Sequence, residues 1–310
     1  MNGARGLFTG WDRGSGIVVV ALVLLLLGLI TPTVQLPRAT FDYIVVFDIS
    51  QSMNVEDYEI DGVPVSRLIY ARNSAKQALR ALPCGSRVGW GAFTGSRTLL
   101  LLAPVETCAN YNDLLASLDK IDGRMRWSNA SEISKGVYWA MQAAQETGSA
   151  PNIVFVTDGQ ESPPLESGQL PTMLDDLRGS PIHGWLVGAG SDALSPIPRE
   201  DEDGTRIGFW HADQVIQSES SMDGATPGLE HLSALREQHL QTVASRLDLN
   251  YARLADESSL GKAMRDSRFA RRRPVPTDLS WLAAAVALLL LVVRLRPEFR
   301  SRNVRRRAAA

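Results

Sequence analysis

Short apolar runs alternate with amphipathic segments along the middle of the chain. Residues 43–47, 152–157 and 182–187 are rich in β-branched and aromatic side chains, as are strands buried on both faces of a sheet. Between them, apolar residues at helical spacing predict helices over 66–82 and from 131 onward. Strands that alternate with helices are typical of a parallel sheet covered on both faces. The pattern predicts an α/β fold with a doubly wound, mostly parallel sheet.

One pair of predicted strands departs from this alternation. Residues 88–93 and 97–103 are separated by a short glycine-containing turn, which predicts a hairpin whose second strand is an antiparallel edge strand. Cys84 and Cys108 lie equally far from Ser96 on the two arms, so the hairpin brings the two thiols close together, within reach of a disulfide. The alternative is two unpaired buried cysteines. A disulfide would agree with an oxidising compartment.

Two longer apolar runs lie outside the predicted sheet. Residues 17–36 carry no charged side chain over roughly 20 residues, the length that a helix needs to cross a bilayer. Residues 279–295 form a second run, whose closing arginines can snorkel and extend its reach. We therefore predict two transmembrane helices, with a domain over 41–270 between them. Short linkers join the domain to both helices, and a helix over 255–270 is predicted to end the domain. A cleaved signal peptide is the alternative for the first run, but the run exceeds a usual signal core and lacks a small-x-small cleavage motif.

Positive charge is concentrated at the two ends of the chain. Residues 294–310 carry a net charge of +6, and residues 1–16 carry a net charge of +1. Because the whole chain has a formal net charge of −2, residues 17–293 carry −9. Positively charged flanks remain in the cytoplasm. The charges therefore predict cytoplasmic segments at 1–16 and 296–310, with the acidic domain on the outer side. Four arginines between 268 and 273 oppose this orientation.

Candidate chemistry follows the first predicted strand directly. Asp48, Ser50 and Ser52 occupy every second position after it. Oxygen-bearing side chains beyond the carboxyl end of a parallel strand lie where open α/β sheets bind ligands. Carboxylate and hydroxyl oxygens suit Mg²⁺ or a similar hard cation, which keeps part of its coordination shell for water or a ligand. The alternative interpretation is a strand-to-helix turn in which Asp and Ser only form the turn.

The sequence D-I-S-Q-S at 48–52 resembles the D-x-S-x-S motif of von Willebrand factor A domains, whose metal-ion-dependent adhesion site begins with these three residues. The family also has a Thr at the start of a later helix and an Asp after a later strand. Ser131 in S-E-I-S-K-G-V is similar to the Thr position, with Ser128 as the second candidate, and Asp158 in T-D-G matches the Asp position. From spacing alone, Ser131 is also a suitable helix N-cap, and Asp158 a suitable turn residue.

The resemblance implies a divalent-cation site made of five residues, Asp48, Ser50, Ser52, Ser131 and Asp158. Mg²⁺ is the first choice of cation, with Mn²⁺ or Ca²⁺ as alternatives. The open position of the cation takes a Glu or Asp of a partner protein. The resemblance thus implies a Rossmann-like von Willebrand A fold that binds proteins and has no catalytic residue.

The last third of the chain resembles one group within that family. Residues 195–222 look like an insertion, and they and the following H-L-S-A-L-R-E-Q-H-L segment are similar to membrane-bound proteins of the Bat and methanol-oxidation (Mxa) types. The resemblance implies a two-pass protein of a bacterial inner membrane with its main domain in the periplasm. It implies, as partners, a MoxR-type AAA+ ATPase and other membrane von Willebrand A proteins. The implied task is assembly of, or metal insertion into, a periplasmic enzyme such as methanol dehydrogenase, with a Bat-type role in stress tolerance as the alternative.

Two further classes of function are weighed against this one. Phosphatases of the haloacid-dehalogenase type also place an Asp after the first strand, in D-x-D, but this chain has Ser50 where their second acid acts. A purely structural anchor with an inactive metal site is the other alternative. The sequence contains no HExxH, C-x-x-C, P-loop or G-x-S-x-G motif and no nucleic-acid-binding signature.

Overall fold

The computed structural model describes residues 13–30, 33–165, 170–201, 203–217 and 228–307. The chain forms two compact units. One unit is Arg38–Arg273, and the other combines Met1–Pro37 with Pro274–Ala310. Most of the predicted cytoplasmic segment 1–16, and parts of the predicted insertion and basic tail, lie outside the described residues.

Strands and helices alternate through the larger unit, as the apolar pattern predicts, and the bounds below are those of both units. The strands are β1 Val34–Thr40, β2 Asp42–Asp48, β3 Tyr58–Ile60, β4 Val63–Val65, β5 Arg87–Thr94, β6 Arg97–Glu106, β7 Asn152–Thr157, β8 Gly184–Gly188, β9 Ser195–Pro196, β10 Pro198–Glu200, β11 Arg206–Phe209, β12 Leu232–Ser233, β13 Asn250–Arg253 and β14 Arg271–Thr277. The helices are α1 Arg13–Ile30, α2 Arg67–Ala81, α3 Tyr111–Leu118, α4 Ile133–Glu146, α5 Glu237–Arg246, α6 Ser259–Met264 and α7 Ser280–Arg307.

A six-stranded sheet forms the centre of the larger unit, in the order β13-β8-β7-β2-β5-β6. The pairs from β13 to β5 are parallel, and β6 runs antiparallel to β5 at one edge. This confirms the predicted α/β fold, mostly parallel with one antiparallel edge strand. Because β2 and β7 are parallel neighbours, their carboxyl ends, Asp48 and Thr157, lie at the same edge of the sheet.

The sheet is buried on both faces, which explains the continuous apolar runs. Tyr43, Val45 and Phe47 of β2 pack into one core with residues of α2, α3 and α6. Ile44 and Val46 point to the other face and pack with residues of α4 and α5. Fully burying such a side chain stabilises the fold by roughly 1.5–3 kcal/mol. Two-sided burial therefore fixes the position of β2 and of the loop that follows it.

The predicted hairpin and its disulfide are both present. β5 and β6 pair antiparallel, with Thr94 opposite Arg97 at the turn. Cys84 and Cys108 are joined by a disulfide, and the chain has no free cysteine. The edge strand is therefore covalently tied to the start of β5.

The smaller unit contains α1 and α7, which pack against each other. A Cβ atom built on Gly28 of α1 would lie 3.4 Å from Cβ of Ala283 of α7, so the two helices approach closely at this point. Over the described part of the chain, no helix combines the length and the apolar character that crossing a bilayer requires.

The structure differs from the sequence predictions where distant segments pair. β1 and β14 form a two-stranded sheet where linkers were expected before and after the domain. As a result α1 ends at Ile30 and β1 begins at Val34, inside the predicted span 17–36. The predicted last helix over 255–270 shortens to α6, which ends at Met264. Local apolar spacing cannot show a pairing between strands this far apart in the sequence.

Candidate metal-binding site

The loop after β2 presents two hydroxyl groups next to a buried carboxylate. Asp48 is fully buried, and its Oδ1 accepts a hydrogen bond of 2.8 Å from the backbone N–H of Ser50. A 3₁₀ turn over Gln51–Asn54 follows at once. It brings the Oγ atoms of Ser50 and Ser52 to 3.1 Å from each other. The alternate spacing of the three residues thus places their oxygen atoms together.

The end of β7 supplies the second carboxylate. Thr157 Oγ1 donates a hydrogen bond of 2.7 Å to Asp48 Oδ2 and so connects the ends of the two strands. Asp158 is fully buried, and its Oδ1 accepts a bond of 3.0 Å from the backbone N–H of Gln160. Asp48 and Asp158 therefore lie at one edge of the sheet, as the sequence predicts for parallel neighbours.

Ser131 is held by its backbone, and its hydroxyl is left free. Its N–H donates to Ser162 O at 2.7 Å, and Ser162 N–H donates back to Ser131 O at 2.8 Å. Ser131 is only 3% exposed, yet its Oγ has no hydrogen-bond partner among the described residues. A buried hydroxyl without a partner is costly, so this atom is suited to a ligand.

Ser131 does not cap α4, which was the alternative interpretation of this residue, and the sequence does not show the reason. The N-cap of α4 is Glu132, and the first N–H groups of the helix bond to a side chain from another loop. Ile133 N–H donates to Glu161 Oε2 at 2.9 Å, and Ser134 N–H donates to Glu161 Oε1 at 3.1 Å. Because Glu161 satisfies these donors, the hydroxyl of Ser131 is not needed there.

Ser50, Ser52 and Ser131 line one cavity of about 270 Å³. Ser128, the second candidate for the third hydroxyl, does not line it, and its Oγ accepts a bond of 3.1 Å from the N–H of Ala130. The structure therefore brings the three predicted hydroxyl groups to a common space. Asp48 adjoins this space through its bond from Ser50, and Asp158 adjoins it through its bond from Gln160, which also lines the cavity.

Arg67, which the sequence analysis did not single out, neutralises one of the carboxylates. It is fully buried at the start of α2. Its Nη1 donates to Asp158 Oδ2 at 2.7 Å, and its Nη2 donates to Asp57 Oδ2 at 2.7 Å. Burial alone would lower the pKa of Arg67, but the carboxylates of Asp158 and Asp57 have the larger effect and raise it above its usual value. The guanidinium therefore stays charged. The one sequence signal is its position four residues before Ala71, on the buried face of the helix.

The site carries an excess of negative charge. Burial, and then the charge of Asp158, raise the pKa of Asp48 to about 7. Asp57 and Asp158 pair with the guanidinium of Arg67, and Asp48 is close enough to Asp158 to feel its charge. When all three carboxylates are ionised, they and the guanidinium together carry a net charge of −2. A divalent cation would balance this charge and satisfy the free hydroxyl of Ser131.

The residues present therefore fit a hard divalent cation with several hydroxyl ligands. Within the described residues, no group of three or more His, Cys, Asp or Glu side chains is arranged to hold a metal ion. The site differs from such clusters because three of its five predicted members are serines.

Comparisons with known proteins agree with this architecture. Residues 43–160 match the family model described as von Willebrand factor type A domain. A UPF0353 protein of Mycolicibacterium paratuberculosis is 28% identical over 215 residues, which cover 62% of this chain and 60% of that protein. A UPF0353 protein of Mycobacterium tuberculosis is 28% identical over 208 residues, covering 60% of this chain and 58% of that protein. The chain thus spans about 60% of the length of the curated relatives that it matches.

Two solved structures share the fold. An aerotolerance-related membrane protein from Bacteroides fragilis superposes with a TM-score of 0.50 at 20% identity, over 72% of this chain and 96% of that one. The protein BatB from Bacteroides thetaiotaomicron superposes with a TM-score of 0.52 at 20% identity, over 74% of this chain and 96% of that one. Residues 43–160 thus match the von Willebrand factor type A domain in the family model, and they have its mostly parallel α/β fold.

Proposed function

We propose that the chain is a divalent-metal-dependent protein-binding module. Ser50, Ser52 and Ser131 offer hydroxyl oxygens to the cation, while Asp48 and Asp158 balance its charge and orient its bound waters. A bound cation, Mg²⁺ in the first place, supplies a positive centre for a Glu or Asp carboxylate of a partner protein. A protein with this site recognises its partner through one charge-assisted contact at an otherwise solvated position.

The observation that carries the proposal is the free hydroxyl of Ser131. It lines the same cavity as Ser50 and Ser52, and it is left without a partner although other hydroxyl groups of the same loops are bonded. The phosphatase alternative lacks comparable support, because the residue two positions after Asp48 is Ser50 and not an acid.

The test is Mg²⁺-dependent stabilisation of the full chain in detergent. We expect Mg²⁺ to raise the melting temperature of the wild type relative to EDTA, since a ligand that binds only the folded state stabilises it. Asp48→Ala should remove this response and leave the domain folded in EDTA, because the buried carboxylate has a raised pKa and contributes a burial cost. A wild-type melting temperature that is the same in Mg²⁺, Mn²⁺, Ca²⁺ and EDTA would refute the proposal.

We further propose that the module is anchored in a bacterial inner membrane by two helices near 17–36 and 279–295, with the domain in the periplasm. Apolar side chains on α1 and α7 are widely exposed, among them Leu26, Leu29 and Leu289. Such surfaces are suited to lipid contact. The basic tail favours a cytoplasmic C-terminus, and the disulfide favours an oxidising compartment for the domain.

For partners, we propose a MoxR-type AAA+ ATPase, other membrane von Willebrand A proteins and a periplasmic client enzyme that requires assembly or metal insertion. The support is the resemblance of the insertion and the following helix to membrane-bound Bat- and Mxa-type proteins. Affinity capture on the full chain, in Mg²⁺ and in EDTA, tests this. We expect the client to be captured in Mg²⁺ only, and identification of the captured protein separates an enzyme-assembly role from a Bat-type role.

A further inference from the structure

The cavity above the three hydroxyl groups has one polar side and one apolar side. The cavity is lined by the three serines and by four residues of the insertion, Ile197, Trp210, Val215 and Ile216. Ile216 is 69% exposed, so part of this apolar wall faces solvent. A cavity that combines an apolar lining with a few polar groups is typical of a ligand-binding site.

The apolar wall is fixed to the loop that carries the hydroxyl groups. Trp210 Nε1 donates a hydrogen bond of 2.7 Å to Oε1 of Gln51, the residue between Ser50 and Ser52. The backbone N–H of Trp210 donates to Ile197 O at 3.0 Å. Gln51 Nε2 donates to Asn129 Oδ1 at 3.1 Å, which joins the wall to the loop before Ser131. The polar and apolar sides are therefore held at a set spacing.

The size of the cavity limits its occupant. About 270 Å³ lies just below the ~300–1,000 Å³ of pockets that enclose whole small molecules. The volume suits a few side-chain atoms of a protein segment whose backbone stays outside. The acidic side chain that also lines the cavity, Glu230, lies 3.6 Å from the guanidinium of Arg236, so its charge is balanced within the chain.

We propose that this cavity binds a protein segment in which an Asp or Glu stands directly beside an aliphatic residue. The inference rests on the proposed metal-dependent function, because the buried excess of negative charge calls for a cation and the cation for a carboxylate. The apolar wall adds the second requirement. A neighbouring aliphatic side chain covers Ile216 and Val215, whereas a glycine beside the acid leaves them exposed to water.

Five-residue peptides provide the probe. The full chain in detergent is titrated with Gly-Gly-Asp-Gly-Gly, Gly-Leu-Asp-Gly-Gly and Gly-Gly-Asp-Leu-Gly, all blocked at both ends and of equal charge. In Mg²⁺, at least one leucine peptide should bind about tenfold more tightly than the glycine peptide. Partial burial of a leucine side chain increases affinity by about this factor. In EDTA all binding should be lost.

Two substitutions on the insertion locate the preference. Ile216→Asn should remove the advantage of the leucine peptide, so that the leucine and glycine peptides bind this variant with equal affinity. Ile207→Asn is the matched control, because Ile207 is also exposed on the insertion but does not line the cavity. It should keep the full preference.

The outcomes separate this inference from the proposed function. Metal-dependent binding with equal affinity for the leucine and glycine peptides would overturn the inference alone, as would a preference that survives in Ile216→Asn. No binding of any peptide, together with no stabilisation by divalent cations, would overturn both. Equal binding of free acetate and the leucine peptides would show that the cavity selects a small carboxylate and not a protein segment.

Discussion

At the scale of single residues, substitutions of two nearby serines distinguish an effect on Mg²⁺ binding from an effect on the stability of the fold. Ser131 Oγ has no hydrogen-bond partner among the described residues, while Ser128 Oγ accepts a bond from Ala130. Removing the hydroxyl of Ser131 should therefore cost no stability in EDTA but should weaken Mg²⁺ binding. We expect Ser131→Ala to lower Mg²⁺ affinity by at least about tenfold, because substitutions of residues that only support metal ligands already lower metal affinity by about this factor.

Ser128→Ala is the control for this pair, since it removes a hydroxyl from the same loop outside the cavity. It should keep Mg²⁺ affinity and lose a little stability in EDTA. Calorimetric titration with Mg²⁺ and urea unfolding in EDTA measure the two effects separately. Equal Mg²⁺ affinity in both variants would show that Ser131 is not a ligand.

Asp48 predicts how the stability of the metal-free chain depends on pH. Burial and the charge of Asp158 raise its pKa from 3.8 to about 7. A group whose pKa is higher in the folded state stabilises the fold below its unfolded pKa, and this contribution is lost as the pH rises through the folded pKa. In EDTA, the melting temperature should therefore rise as the pH falls from about 8 to about 5, within that window.

Asp48→Asn removes this titration at nearly constant shape. The variant should melt higher than the wild type in EDTA at about pH 8, where the wild-type carboxylate is ionised without a cation, and the difference should shrink at about pH 5. Thermal unfolding followed by circular dichroism at several pH values measures both trends. Parallel pH profiles for the two proteins would contradict the raised pKa.

At the scale of elements, Arg67 ties α2 to the loops at the carboxyl end of the sheet. Besides Asp57 and Asp158, its Nη1 donates to Ser233 Oγ at 2.7 Å, which adds β12 to the same network. Arg67→Met fills the space but leaves two buried carboxylates unpaired. Breaking a buried ion pair from one side costs about 3–5 kcal/mol. We expect a loss of that order in the free energy of unfolding, measured by urea denaturation in EDTA.

The control is Arg124→Met, which removes an arginine of an exposed pair. Arg124 contacts Asp122 at 2.7 Å, but its side chain is 67% exposed. Exposed pairs contribute little to stability because solvent screens them, so this variant should unfold almost as the wild type does. A loss of similar size in both variants would mean that Arg67 is not the link between these elements.

Elements differ in how well the sequence predicts them. β2 and β7 are predicted almost residue by residue, because each is a local apolar run buried on both faces. The pairing of β1 with β14, and the capping of α4 by Glu161, depend on segments that are distant in the sequence. Apolar periodicity therefore predicts the sheet and its edge strand but misses these contacts.

The candidate site also contains residues that the sequence predicts and residues that only the folded structure identifies. Asp48, Ser50 and Ser52 follow from one short motif after a strand. Ser131 requires the family resemblance, because spacing alone favours a helix cap. Arg67 lies 91 residues from Asp158, and its role follows only from the folded structure. The sequence thus predicts the oxygen donors, while the structure adds the charge that balances them.

At the scale of the whole chain, charge and disulfide together predict a topology that fusions can measure. The C-terminal segment 294–310 has a net charge of +6, and segment 17–293 one of −9. Positive flanks remain in the cytoplasm, and the disulfide Cys84–Cys108 belongs in an oxidising compartment. We expect a C-terminal green fluorescent protein fusion to fluoresce in a bacterial host and a C-terminal alkaline phosphatase fusion to be inactive.

Truncation between the domain and α7 provides the matched control. Alkaline phosphatase fused after Thr277, the end of β14, should be active, because the proposed second span is then missing and the enzyme lies on the side of the domain. The four arginines between 268 and 273 are the residues that oppose this orientation. If they dominated, the domain would be cytoplasmic: phosphatase fused after Thr277 would be inactive, and Cys84 and Cys108 would stay reduced and react with a maleimide in the unreduced protein.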